Sequence, residues 1–509
     1  MQSMGAIALA SALPARLLQA ATALRFNSEP FLLGVASGCP SASGVILWTR
    51  LITSLEEPSR DIDAAVIPVA WEIATDDKMR KVVQKGSEYA TPEFAHSIHL
   101  ELTGLKPERD YWYRFTAGGK QSPIGRTRTA PAPQTKLHRL RIAIASCQKY
   151  ENGYYVAYRH MLNDDLDLII HVGDYIYEYA SAVGGNNIRG DGSGEALTLD
   201  QYRARHALVK SDPDLRAAHS HCPWLMTWDD HEVANDYGGD WSYDLAGEEF
   251  LLRRAAAYRA YYEHMPLPRS ALPTGPQMQL YASHHFGNLA QIQMLDSRQY
   301  RSPAACLGAE DDGGPGARCA SLFDTARTKL GKQQEDWLRT ELTTNHAQWN
   351  VMAQGTPMAH VDLDPGPGVA YRRDSWDGYP AARQRFLDSV AGTKASNPVI
   401  IDGDIHAFQV ANLNKQANDI TTPVIASELT TTSITSSGIS QRQLDQRREQ
   451  NPNVLLSDSS KHGYLLLDID RKRILADLVT VDTIKQPDAA RGLIASYVVE
   501  NGKPGPVKA

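Results

Sequence analysis

Four short stretches set side chains that bind cations or carry protons directly after apolar runs. Cys147 follows "LRIAIAS", and Asp174 and Tyr177 lie in "GDYIY" after "LDLIIHV". Asp230 and His231 lie in "DDHE" after "WLMTW", and Asp404 and His406 lie in "GDIH" after "NPVIID". Thiolate, carboxylate, phenolate and imidazole are metal ligands, and the last is also a general acid or base. Each stretch alone has a plainer explanation. A buried cysteine often packs as a small hydrophobe, Asp after Gly makes turns, and acids before a helix cap it. Cys147 on its own is packing, half of a disulfide, a nucleophile or a ligand. The repeated placement is more specific than any one motif, because turn acids have no need to follow apolar strands. In open α/β sheets, sites form beyond the carboxyl ends of strands, so residues distant in sequence converge there.

The elements that must position these residues can be read from the same runs. "LRIAIASC" and "LDLIIHVGD" are continuous apolar strands around the helically spaced "GYYVAYRHMLNDD", a βαβ unit. Strands follow in "WLMTWDDHE", "QWNVMAQGTP" and "NPVIIDGDIHAF", with a helix in "QQEDWLRTELTT" and a closing hairpin in "YLLLDIDRKRILADLVTV". Residues 138–509 are therefore expected to form a layered α/β domain. Residues 30–130 carry short strands rich in β-branched and aromatic residues, among them "GVILWTRL", "IPVAWEIA" and "DYWYRFTAG". That pattern predicts an antiparallel β-sandwich. "LTGLKPERDYWYRF" resembles the late strands of a fibronectin type III domain. The Pro- and Ala-rich stretch that follows marks a linker at 131–137.

A chain of 509 residues exceeds one hydrophobic core, which agrees with this division. The formal net charge of −7 gives no broad footprint for nucleic acid, although a local basic site for an anionic substrate stays open. No apolar run is long enough to span a bilayer. Residues 1–29 contain "MGAIALASALPA", similar to the apolar core of an export signal whose start is truncated; the alternative is a disordered segment. Export, to a periplasm or outside the cell, is the expectation. Of five cysteines, Cys306 and Cys319 flank a Gly-rich polar loop. In an exported protein they make a disulfide, and otherwise two free thiols. No serine nucleophile elbow, Walker loop or dinucleotide fingerprint occurs in a suitable context.

"GDYIY", "WDDHE" and "GDIH", in that order, resemble the PhoD-like alkaline phosphatases and phosphodiesterases of the calcineurin-like metallophosphoesterase superfamily. "LDSRQYR", "WNVMAQGTPM" and "DSWDGYPAAR" extend the resemblance, as does a sandwich domain in front. The resemblance implies a fold of N-terminal fibronectin/Ig-like β-sandwich followed by a layered α/β metallophosphoesterase domain. It makes Asp174 a metal bridge, Tyr177 a ligand of tyrosinate iron, His231 the catalytic histidine and His406 a ligand. It puts Cys147 where the superfamily has an acidic ligand, and Asp230 and Asp404 where it has asparagine and histidine. Another superfamily histidine falls at Gln354. These oxygen donors suit a hard cation, so the implied cofactors are Fe3+ and Ca2+, with other divalent metals as substitutes. Asn235 is a further candidate oxygen ligand.

The implied activity is metal-dependent hydrolysis of phosphate monoesters or diesters by activated water. His231 assists the leaving oxygen. Arg298 either pairs with a phosphoryl oxygen through its forked donors or forms a structural ion pair with Asp296 or another acid. The expected partners are small phosphate esters or phosphodiesters, with phospholipid as an extension. A phospholipase D-like phosphodiesterase and a non-enzymatic, metal-dependent binding protein are the alternatives. Natural substrate and oligomeric state are not legible.

Overall fold

The computed structural model describes residues 25–509 apart from 57–61, 63–64, 186, 307–318, 365 and 394. Arg139–Ala145 lies inside a ten-stranded sheet, parallel to Leu168–His171 on one side and antiparallel to His462–Asp470 on the other. Trp224–Met226 pairs parallel to Leu168–His171. A seven-stranded sheet holds Ala290–Met294, Trp349–Ala353 and Pro398–Asp402 in parallel.

Strand alternation explains how the layers stack. Ile142 and Ile144 face the core between the two sheets, where they meet Ile292, Val351 and Ile401. Ala143 and Ala145 point the other way, into a core shared with helices Val156–Met161, Pro213–His221 and Gly247–His264. Helices Lys332–Thr344 and Pro380–Thr393 cover the outer face of the second sheet, with Leu338 and Phe386 against Met352 and Ile400. Strands covered on both faces read as unbroken apolar runs, as these do.

The N-terminal region is all β, in two layers around a core that includes Leu47, Val69, Ile98, Tyr113 and Phe115. One layer is a five-stranded sheet containing Ile67–Ala74 and Asp110–Ala117. The other is Val35–Ser41, Gly44–Arg50 and Ser97–Leu102, and it continues the ten-stranded sheet through a parallel pairing of Gly38 with Trp224. A Cβ at Gly38 would stand 2.4 Å from the Pro266 carbonyl oxygen, so only glycine allows this close approach. The all-β region thus shares a sheet with the α/β region instead of standing apart from it. Among the described residues, no helix is long and apolar enough to cross a membrane. Cys306 and Cys319 form a disulfide, while Cys39, Cys147 and Cys222 are free thiols.

Candidate metal centre

The site lies on the turns that follow the strands. Cys147, Asp174, Asp404 and His406 all have positive φ, at 56°, 57°, 68° and 54°. Such backbone is uncommon for residues other than glycine and gathers at functional sites. Gly173 before Asp174 has φ of 119°, and a Cβ there would stand 2.5 Å from the Asp229 backbone nitrogen. The glycine is required for the two ligand-bearing loops to meet. The buried Glu232 carboxylate ties them, accepting N–H from Asp229 at 2.9 Å, Asp174 at 3.2 Å and Tyr175 at 2.6 Å.

Two groups of ligand atoms share Asp174. Cys147, Asp174 and His406 offer atoms within 4.8 Å of one another, and so do Asp174, Asp230 and His231. Tyr177 Oη joins the first group, donating to Asp174 Oδ2 at 2.9 Å and lying 3.1 Å from His406 Nε2. His406 Nδ1 lies 2.7 Å from the Ser437 carbonyl oxygen. A carbonyl only accepts, so Nδ1 carries a proton, and Nε2 faces the cluster. His231 Nδ1 is fixed 2.7 Å from Glu178 Oε2, and Glu178 Oε1 accepts the Asn235 N–H at 2.7 Å. The His231 ring packs on Tyr177, with centroids 4.2 Å apart.

The electrostatics describe a site waiting for positive charge. Among the described residues, buried Asp174 Oδ1 and Asp230 Oδ1 have no hydrogen-bond partner, although Arg298 Nη2 stands 3.5 Å from the latter. Leaving such an acceptor unsatisfied costs about 1–3 kcal/mol, or more when it is charged. Burial, and then the charge of Asp174, push the Cys147 thiol and the Tyr177 phenol well above their usual ranges. Burial also opposes ionisation of Asp174, but His231, His406 and Tyr177 outweigh it and hold that carboxyl well down. His231 is held well above the ordinary imidazole range: burial works against its charge, and Glu178, Asp230 and Asp174 overcome it. A cation at the cluster would satisfy the orphaned oxygens and offset the penalty on thiolate and phenolate.

The remaining expected residues fall differently. Arg298 is fully buried, and its guanidinium is saturated by acids. Nε and Nη2 reach Asp229 at 2.6 and 2.9 Å, and Nη1 and Nη2 reach Asp374 at 2.6 and 2.8 Å. Of the two readings of Arg298, these contacts make the ion pair, with Asp229 and Asp374 as partners; from Arg298, Asp296 accepts the backbone N–H alone, at 3.0 Å. Asp404 stands outside both ligand groups and pairs with Arg372 at 3.0 Å. Gln354 Oε1, the oxygen expected to replace a histidine ligand, accepts the Trp376 indole N–H at 2.9 Å. Asn235 enters through its backbone N–H.

Glu178, Glu232, Asp236 and Asp374 were not expected at the site. Glu178 directly follows "GDYIY", Glu232 closes "DDHE" and Asp374 opens "DSWDGYPAAR", so their motifs were visible although their roles were not. Asp230, Asp236 and Asp374 form a third carboxylate group within 4.8 Å. Burial, Asp374 and Asp230 push Asp236 up to about 8.

Fold and cluster together define a layered α/β protein with a cation-binding centre at its strand ends. Residues 142–478 match the PhoD-like phosphatase model, and residues 18–131 match the PhoD-like phosphatase N-terminal domain. The chain is 42% identical over 491 residues to Alkaline phosphatase D of Bacillus subtilis (strain 168), covering 94% of this chain and 82% of that protein. A solved structure described as PhoD is 41% identical, with a TM-score of 0.91 over 95% of this chain and 93% of that one. The chain belongs to the PhoD-like phosphatase family.

Proposed function

We propose that this protein hydrolyses phosphate esters in a metal-dependent reaction, with water attacking phosphorus in line with the leaving oxygen. The observation that carries this reading is the pair of ligand groups joined at Asp174, whose Oδ1 is buried without a partner. A bound cation pair supplies neutralisation of phosphoryl charge and a lowered pKa for water. Asp174, which belongs to both groups, would serve both positions. Cys147, Tyr177 and His406 complete one of them, and two ionisable anionic donors there favour ferric iron. Asp230, Asn235 and Asp404 are oxygen donors for calcium. Asp404 is the weakest of these, because Arg372 already neutralises it. His231 holds a proton at Nε2 while Glu178 fixes Nδ1, so the ring delivers hydrogen-bond or acid assistance to the leaving oxygen.

The same reading divides the chain into a fibronectin/Ig-like β domain at 30–130, a linker at 131–137 and a metallophosphoesterase domain at 138–509. The alternating burial of Asp110–Ala117, with Tyr111, Tyr113 and Phe115 inward, supports the first. The Cys306–Cys319 disulfide supports export, since such bonds persist in oxidising compartments. The signal-like stretch lies mostly outside the described residues. Phosphate release from a nitrophenyl monoester and from a bis-nitrophenyl diester, with and without chelator, tests the activity. Release lost on chelation and restored by metal supports it; chelator-resistant release refutes it.

A further inference from the structure

Phosphate esters bring negative charge to a centre that Arg298 does not meet, so another cation has to be found. Most of those nearby are spent. Arg301 is buried with Nη2 on Asp374 at 2.7 Å, and the buried Lys329 Nζ donates to the Asp374 carbonyl oxygen at 2.7 Å. Buried Arg205 donates to Ser193 Oγ and the Gly194 carbonyl, both at 3.1 Å. Arg372 is paired with Asp404.

Lys149, two residues after Cys147, differs. Its backbone is held by the loops of the centre: the N–H donates to Ser436 Oγ at 3.1 Å, and the carbonyl accepts from Thr435 Oγ1 at 2.7 Å. Ser436 Oγ in turn lies 2.7 Å from Tyr177 Oη. Next to it, the Gln148 N–H donates to the Asp174 carbonyl at 3.0 Å. The half-buried side chain sets Nζ 5.6 Å from the Tyr177 ring centre and 5.4 Å from that of Tyr179. Those two rings flank His231, at 4.2 and 5.1 Å. Among the described residues no carboxylate pairs with Nζ. Aromatic faces attract an ammonium without neutralising it. The fixed backbone and unspent charge therefore stand beside the proposed acid.

We propose that Lys149 is the phosphoryl contact of this site: its ammonium pairs with a non-bridging oxygen of the ester, and of the phosphate released. The inference rests on the phosphoesterase reading. The Lys149 ammonium acts as a point charge, a role lysine performs at other phosphate sites. A contact made to substrate and product alike acts on binding, so it appears in KM and in product inhibition more than in kcat.

The test uses metal-loaded protein, a nitrophenyl monoester and inorganic phosphate as inhibitor. Lys149→Met should raise KM and the phosphate inhibition constant together, by about 10- to 100-fold, the worth of one hydrogen bond to a charged group. Metal content and Tm should be unchanged, and Lys149→Arg should recover most of the loss. Unchanged KM and phosphate inhibition in Lys149→Met overturn the assignment, and a lowered Tm alongside them makes Lys149 a strut over the tyrosines. Loss of phosphate inhibition in Arg447→Met but not in Lys149→Met moves the contact to the recess that Arg447 lines with Arg372. Should metal-loaded wild type hydrolyse no ester, the phosphoesterase reading fails on its own; calorimetric titration of wild type and Lys149→Met with inorganic phosphate then decides the contact separately.

Discussion

Asp174 and His231 sit in one ligand group but are asked to do different work. Asp174 is shared by both ligand groups, so Asp174→Ala should lose metal and activity together, whatever the leaving group. His231 is fixed by Glu178 at 2.7 Å, and its proposed role is that of an acid. General acid catalysis contributes about 10²–10⁴-fold, so His231→Ala should lose activity on that order and keep its metal. The loss should shrink for a nitrophenyl ester, whose leaving group scarcely needs a proton. Metal analysis with rates on good and poor leaving groups checks both variants. A metal-free His231→Ala, or one equally impaired on both esters, makes His231 a ligand instead. These two residues were legible because each closes an apolar strand. Glu178 was not, because an acid one residue past a motif carries no signal until the fold turns it toward His231.

The strand-end turns are held together by elements that no local pattern connects. Arg298 lies on the turn after Ala290–Met294 in the second sheet, Asp229 follows Trp224–Met226 in the first, and Asp374 sits in the loop before helix Pro380–Thr393. Residues 229, 298 and 374 have no common spacing, so the sequence left Arg298 divided between substrate contact and ion pair. The buried geometry makes it a clamp between the sheets. Arg298→Met removes the clamp and leaves the buried Asp229 carboxylate without its cation, while Asp374 keeps Arg301, and breaking a buried pair in this way costs about 3–5 kcal/mol. A marked fall in Tm is expected. A variant as stable as wild type, altered only in KM, would return Arg298 to the substrate. The apolar strands and their helices were readable because period and length distinguish them. The shared sheet was not, since Val35–Ser41 has the same apolar pattern whether its sheet closes on itself or continues at Gly38.

Across the molecule, the N-terminal strands meet the helices over a buried polar core. His206, on Leu199–Lys210, is fully buried, has no hydrogen-bond partner for either ring nitrogen among the described residues, and stacks on His264 at 4.9 Å. Lys210 Nζ, also unpartnered, lies 4.3 Å from the Trp48 ring centre. Burial, then the nearby Lys210, Arg50 and Arg205 charges, hold His206 well below the ordinary imidazole range. The folded protein keeps it neutral, while the unfolded chain takes a proton below about pH 6.5. Unfolding then binds the extra proton, so this group's stability is full above pH 6.5 and is lost as pH falls below it. The loss is about 1.4 kcal/mol per pH unit until the folded protein also protonates. His206→Leu should therefore gain on wild type by more at pH 5.0 than at pH 7.5, measured as the difference in Tm. Equal differences at both values would mean that the ring is charged or hydrated in the fold.

The central proposal is a cation held by Cys147, Asp174, Tyr177 and His406. The most direct measurement is metal analysis of active protein together with its visible spectrum, for wild type and Tyr177→Phe. A phenolate on ferric iron gives a charge-transfer band. The account predicts iron in the active wild type and a visible band that Tyr177→Phe loses. Active protein containing two zinc ions and no iron, or a band unchanged in Tyr177→Phe, would contradict it.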